Sequence, residues 1–181
     1  MYNINETINV DDFSYIIRYS KAEDFEQVFE IWFENQAYST NRVELKNKEL
    51  LKQILEYQFL NQDNNFKFWI AEYNNIIIGY QSSNRTESNP VIMNEHAESS
   101  TYVSKNYYGK NIGYNLMKKC LEDLIETEIT LFYGKILSTN IGMIKIVEKL
   151  GWIKIGETPQ SNKIPIFPKC LIYVYNVNEK L

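Results

Sequence analysis

Apolar residues recur at two different periods along this chain, and the switches between them predict its elements. The stretch 15–19 (YIIRY) is rich in β-branched and aromatic residues and reads as a short strand. Phe25, Val28, Phe29, Trp32 and Phe33 then fall on one face of a helix. Ser20 followed by Glu23 predicts its start as a capping box, in which each side chain satisfies the other's backbone donor. A second helix is expected over 44–59, with a looser stripe of Leu45, Leu51, Ile54, Leu55 and Phe59. After a polar break at 61–65, the stretches 66–72 and 76–82 read as two strands joined by Tyr73-Asn74-Asn75, a hairpin-type connection. A polar loop containing Pro90 covers 84–94.

The next stretch, 98–121, changes period within a few residues. Residues 100–104 suit a strand, and 105–110 breaks the pattern with Asn, Gly and Lys. From Ile112 the apolar positions are Leu116, Cys120, Leu121, Leu124 and Ile125, which is helical spacing. A strand is expected at 129–137, a helix at 142–150, and strands at 152–156 and 170–177. Between those last two strands, 157–169 carries three of the chain's four prolines, which marks a loop that shapes a pocket rim. Residues 1–13 are expected to be a loose tail and 14–181 one domain. The order is β-α-α-β-β-β-α-β-α-β-β, an α/β (α+β) arrangement whose front half is antiparallel.

Composition narrows the function. The chain has 181 residues, 44% hydrophobic and 23% charged, ordinary for a globular domain. A net charge of −4 argues against nucleic acid or an anionic membrane as partner, and no apolar run approaches a membrane span. The polar N-terminus does not resemble a signal peptide. Cys120 and Cys170 fall on elements expected to be buried and read as core thiols of a reducing, cytoplasmic protein. The single histidine, His96, excludes a histidine-cluster metal site, and no metal is expected.

The chemistry concentrates at 98–121. A strand, a turn with two glycines and a helix N-terminus make a phosphate site, because free backbone N–H groups and the positive end of the helix dipole converge there. The same pattern also serves as a plain turn and cap. Glu98 opens the strand, with His96 and Glu95 nearby. The acidic group Glu122, Asp123, Glu126 and Glu128 reads as a solvated helix face.

Tyr108-Gly109-Lys110-Asn111-Ile112-Gly113 resembles motif A of the GNAT superfamily of acetyl-CoA-dependent N-acyltransferases, Arg/Gln-x-x-Gly-x-Gly/Ala. Asn140, then Ile144 and Glu148-Lys149-Leu150-Gly151-Trp152, resembles the family's next motif. Ile16-Ile17-Arg18 to Asp24, and Trp69-Ile70-Ala71-Glu72 with Ile78-Gly79-Tyr80, resemble its early strands and first helix. The likeness spans about 15–177. Glu98-Ser99-Ser100-Thr101-Tyr102-Val103-Ser104 is most similar to the phosphinothricin-acetyltransferase-like branch. Three positions depart. Tyr108 and Asn111 stand where Arg/Gln and Gly are usual, and Val147 stands where the superfamily often has a tyrosine acid. Asn is the non-Gly residue that best tolerates left-handed backbone angles, and Lys110 can supply positive charge.

The resemblance implies the GNAT fold, a mixed, mostly antiparallel sheet flanked by helices. It implies acetyl transfer from acetyl-CoA to a primary amine of a small amino-acid-like molecule, directly, in a ternary complex. A protein N-terminal or lysine acetyltransferase and a non-catalytic acyl-CoA-binding regulatory module are the alternatives. The N–H groups of Tyr108, Gly109, Lys110, Asn111, Ile112, Gly113 and Tyr114 would hold the pyrophosphate. The backbone of Tyr102, Val103 and Ser104 would pair with the pantetheine arm, the N–H of Val103 would stabilise the oxyanion, and Asn140 would bond the arm. Glu98 matches the branch's acidic residue and is the expected general base. Tyr38 is expected beside Glu98 in the acceptor site. Tyr133, Tyr114 or water stand in for the missing acid. Homodimers occur in this branch, which leaves a homodimer open here.

Overall fold

The protein is described from a computed structural model covering residues 5–10, 13–39, 47–159 and 168–178, with side chains of the first helix described through Gln36. The strands are β1 (Glu6–Val10), β2 (Phe13–Tyr19), β3 (Phe68–Tyr73), β4 (Ile76–Arg85), β5 (His96–Val103), β6 (Leu131–Leu137), β7 (Ile153–Glu157) and β8 (Cys170–Asn176). The helices are α1 (Phe25–Ser39), α2 (Lys48–Leu60), α3 (Ile112–Leu124) and α4 (Ile141–Lys149). All eight strands join one sheet in the order β1-β2-β3-β4-β5-β6-β8-β7. Among the described strands only β5 and β6 run parallel. The mixed, mostly antiparallel sheet is the expected one.

The expected hairpin forms β3 and β4. Asn74 and Asn75 both have positive φ, 51° and 62°, as a two-residue primed turn requires. The first helix starts differently from its sequence signature. The Asp24 carboxylate, not Glu23, accepts the Lys21 N–H at 2.6 Å, and Asp24 also accepts two bonds from the Arg18 guanidinium at 2.7 and 2.8 Å. Arg18 bonds Glu72 on β3 as well, at 2.7 Å. The buried Arg18 fork adds two charge-assisted bonds at Asp24 that Glu23 does not have, so Asp24 takes the place at the helix start.

The stretch 1–13, expected as a loose tail, contains β1, which pairs antiparallel with β2 from Glu6↔Ile17 to Val10↔Phe13. Its signal is short: Ile8 and Val10 alternate with exposed Thr7 and Asn9. Ile8 and Val10 pack against the main core, which repays the ordering of the segment.

The two sheet faces carry separate cores. α1 and α2 cover Phe68, Ile70, Ile77 and Tyr80 on one face. α3 and α4 cover Trp69, Ala71, Ala97 and Phe132 on the other. Trp152 stacks on Gly134 of β6, where an added Cβ would meet the indole ring at 3.1 Å. That contact seats the end of α4 against the sheet, beside the gap described next.

Candidate active site

The parallel pairing of β5 and β6 is brief. It covers His96↔Leu131, Ala97↔Phe132 and Glu98↔Tyr133 and then stops. Both strands continue, β5 to Val103 and β6 to Leu137. β5 stays paired with β4 through Gly79↔Val103, and β6 stays paired with β8 through Leu137↔Cys170. Each strand is thus held on its outer edge, and their inner edges part to form a wedge.

The ladder decides which peptide groups face this wedge. The Ser104 N–H donates to Ile78 O at 2.9 Å, on the β4 side. Successive residues of an antiparallel strand turn their peptide groups to opposite edges. The peptide groups of Tyr102 and Ser104 therefore belong to β4, and those of Ser99, Thr101 and Val103 face the wedge. Of the three residues expected to pair with the pantetheine, Val103 alone offers its backbone there. Tyr102 is nonetheless among the residues that line the cavity.

At the open end of the wedge sits the glycine turn. Gly109 has φ 79° and Asn111 has φ 57°, so Asn111 takes the left-handed conformation in place of glycine. It is the N-cap of α3, yet its side chain makes no capping bond, which leaves the first-turn N–H groups of Ile112, Gly113 and Tyr114 to an external acceptor. Gly113 brings α3 onto β5 and α4: a Cβ there would lie 3.6 Å from Ile146 and 3.7 Å from Thr101 and Val103. Asn111→Gly is expected to leave stability unchanged or slightly raised. Asn111→Ala should cost about 1 kcal/mol, since alanine lacks the local hydrogen bonding that eases αL, lowering Tm by roughly 2–4 °C in a chain of this size. Thermal unfolding of the two variants checks this, and equal melting temperatures would discard the αL assignment.

The β5 side of the wedge and the turn line one cavity of about 670 Å3, whose wall includes Tyr102, Val103, Tyr108, Gly109, Asn111, Ile112, Gly113, Tyr114 and Asn140 among the expected residues. Asn140 caps α4, its Oδ1 accepting the Met143 N–H at 3.1 Å, so its amide nitrogen remains to donate. Ser104 and Lys110 are not in the wall. The Lys110 ammonium lies 4.6 Å over the Phe13 ring. Lys149 instead stands near the cavity, 4.4 Å over the ring of Tyr114. Sequence reading missed Asn35, Tyr107, Thr139, Met143 and Ile146. Asn35 had a usable signal: a polar residue four after Ile31, on the apolar side of α1.

Glu98 is not in the cavity wall. Its carboxylate meets Lys135 Nζ on β6 at 2.6 Å. Alternation from Tyr102, which packs with the α1–α2 core, puts Glu98 on that same face of β5. His96 stacks edge-on against Tyr133, centroids 5.7 Å apart. Val147 is 1% exposed within the α3–α4 core. It can neither donate a proton nor reach the wedge. The side chain of Tyr38 lies outside the described residues. Cys120 and Cys170 are free thiols, both pushed up in pKa by burial, and neither lines the cavity. Among the described residues no group of His, Cys, Asp and Glu could hold a metal, and no helix is long and apolar enough to cross a membrane.

A wedge between two parallel strands, opening on the uncapped N-terminus of a helix, suits an extended ligand arm that ends in a phosphate. The Acetyltransferase (GNAT) domain family matches residues 34–170. The chain belongs to the GNAT acetyltransferases. Their acyl donor is acetyl-CoA, and the extended wedge and uncapped helix suit its arm and pyrophosphate. No curated protein matches the sequence. Among solved structures, the GNAT chain is similar to yncA of Salmonella typhimurium with its cofactor acetyl-CoA (TM-score 0.78, 18% identity, 92% of this chain and 96% of that one). It is also similar to a phosphinothricin acetyltransferase of Sinorhizobium meliloti in complex with acetyl-CoA (0.73, 17%, 90% and 88%). A third is a ribosomal-protein-alanine N-acetyltransferase of Brucella melitensis (0.73, 21%, 88% and 98%). At these identities the likeness speaks for the fold.

Proposed function

We propose that this GNAT acetyltransferase moves the acetyl group of acetyl-CoA directly to a primary amine of a small amino-acid-like molecule. The observation that carries the donor half is the continuity of the freed β5 edge with the left-handed turn at Asn111 in one cavity. The pyrophosphate rests on the α3 N-terminus, and the pantetheine arm lies along the inner edge of β5. The Val103 N–H, aimed into the wedge, is the proposed oxyanion donor. Asn140 donates to the arm.

The acceptor half rests on the opposite face. Glu98 and Lys135 carry opposite charges 2.6 Å apart at the point where the wedge begins. An acid beside a base suits an acceptor bearing an ammonium and an anionic group. Glu98 takes the ammonium proton, directly or through water, before the amine attacks the thioester carbonyl. Electrons flow from nitrogen to carbon, and the CoA thiolate leaves and is protonated by water or Tyr133. Transfer without an acyl-cysteine is favoured by two thiols whose burial disfavours the thiolate.

Acetyl-CoA at about a hundred times its Kd is expected to stabilise the protein by roughly 2.7 kcal/mol, a rise in Tm of several degrees. Release of free CoA on adding amines then tests transfer, with amino acids and peptide N-termini as separate arms. A thermal shift without turnover on any amine would reduce the protein to an acyl-CoA-binding module. Turnover confined to peptides would move the acceptor to protein N-termini.

A further inference from the structure

Tyr108 departs from the usual Arg or Gln of its motif, and it reaches across the cavity to α1. Its hydroxyl donates to Asn35 Oδ1 at 2.6 Å. Asn35, 6% exposed, donates through Nδ2 to Ile31 O at 2.8 Å and to Val103 O at 3.1 Å. Its acceptor and both donor directions are thus used. The Val103 carbonyl lies on the wedge edge of β5, where strand pairing has ended. The N–H of the same peptide, that of Ser104, is held by Ile78 O at 2.9 Å on the β4 side, and on the wedge side its carbonyl is held by Asn35.

We propose that Asn35 is a positioning residue: it holds the carbonyl of the Val103–Ser104 peptide from the wedge side, and Tyr108 links that peptide to the phosphate turn. Holding the pyrophosphate and presenting Val103 to the acyl arm then become one coupled event. The Asn35 amide occupies one side of the Val103 carbonyl, and the second lone pair is left for the arm's own amide N–H. Tyr108 thereby replaces a charge on the phosphate with a tether on the turn. The inference rests on the reading of β5 as the acetyl-CoA strand.

Two substitutions separate the links. Tyr108→Phe deletes only the hydroxyl. Asn35→Asp keeps the shape and the acceptor for Tyr108 but turns a carboxylate oxygen toward the Val103 carbonyl. Each lost bond should cost about 5- to 10-fold. For Tyr108→Phe the loss should fall mainly on acetyl-CoA affinity, and for Asn35→Asp mainly on kcat. The kcat ratio of Asn35→Asp to the unsubstituted enzyme should rise as pH falls, because a protonated Asp can again donate to Val103 O. A role in folding alone would leave that ratio flat at saturating substrates. Should the buried Asp prevent folding, the uncharged Asn35→Ala serves in a cycle: Tyr108→Phe weakens acetyl-CoA binding in the original background and adds nothing in the Asn35→Ala background. Multiplicative losses in calorimetric titration with acetyl-CoA, or a flat ratio, would overturn the inference while leaving the enzyme's function standing. Absence of acetyl-CoA binding by the unsubstituted protein would remove the cofactor reading and this inference together.

Discussion

Glu98→Gln is expected to lower kcat/KM for the amine by roughly 10²-fold or more near neutral pH, and by much less as the pH approaches the amine's own pKa. The sign follows from the acceptor. An alkylammonium with a pKa near 10 is almost wholly protonated at neutrality and must lose a proton before it can attack. A base is needed where the free amine is scarce and becomes redundant where it is abundant. Glutamine keeps the size of Glu98 and its place on β5 but cannot take the proton. The fold should tolerate the change. Glu98 is partly exposed and its partner Lys135 is well exposed, so a lost pair of this kind costs little stability. Initial rates of CoA release across pH, with circular dichroism to verify folding, make the measurement. A pH–rate profile parallel to that of the unsubstituted enzyme would leave Glu98 as an ion-pair partner and nothing more.

Much of the fold was legible because its signals are local. The period change around 105–112, the Asn74-Asn75 turn and the stripe of α3 each depend on residues a few positions apart, and each formed close to its expected bounds. β1 was missed because its alternation spans only five residues, and its stability comes from β2 and the core beyond. The phosphate turn was legible down to Asn111 in the left-handed region. The wedge was not. Nothing in the sequence at 99–103 marks which peptide groups face β4 and which face the wedge; that follows from the register with Ile78 and Gly79. The same limit explains Lys110, assigned to the phosphate by position yet drawn over Phe13 on β2. It also explains Asn35, whose partners lie 68 and 73 residues away in sequence.

The register makes Val103→Pro a selective operation. Proline in a strand interior normally removes a ladder bond, but at Val103 the N–H faces the wedge and not β4. At such an edge proline is tolerated, and the preceding Tyr102 is already extended, as a residue before proline prefers. The β4–β5 pairing should therefore survive while one donor disappears from the wedge. With Val103 as the oxyanion donor, kcat should fall about 10²- to 10³-fold, the usual cost of removing one such N–H. Acetyl-CoA binding should fall far less, since the N–H groups of Ile112, Gly113 and Tyr114 proposed to hold the pyrophosphate are untouched. Thr101 turns its N–H to the same edge, two residues deeper, so Thr101→Pro is the natural companion. A large kcat loss in Thr101→Pro with a small one in Val103→Pro would move the thioester deeper into the wedge, toward Glu98, and transfer the oxyanion role to Thr101. A loss in neither would mean that no β5 peptide meets the developing charge, leaving β5 as a wall for the arm. Acetyl-CoA titration alongside single-turnover rates separates these outcomes, because the first reads the held cofactor and the second the reacting carbonyl.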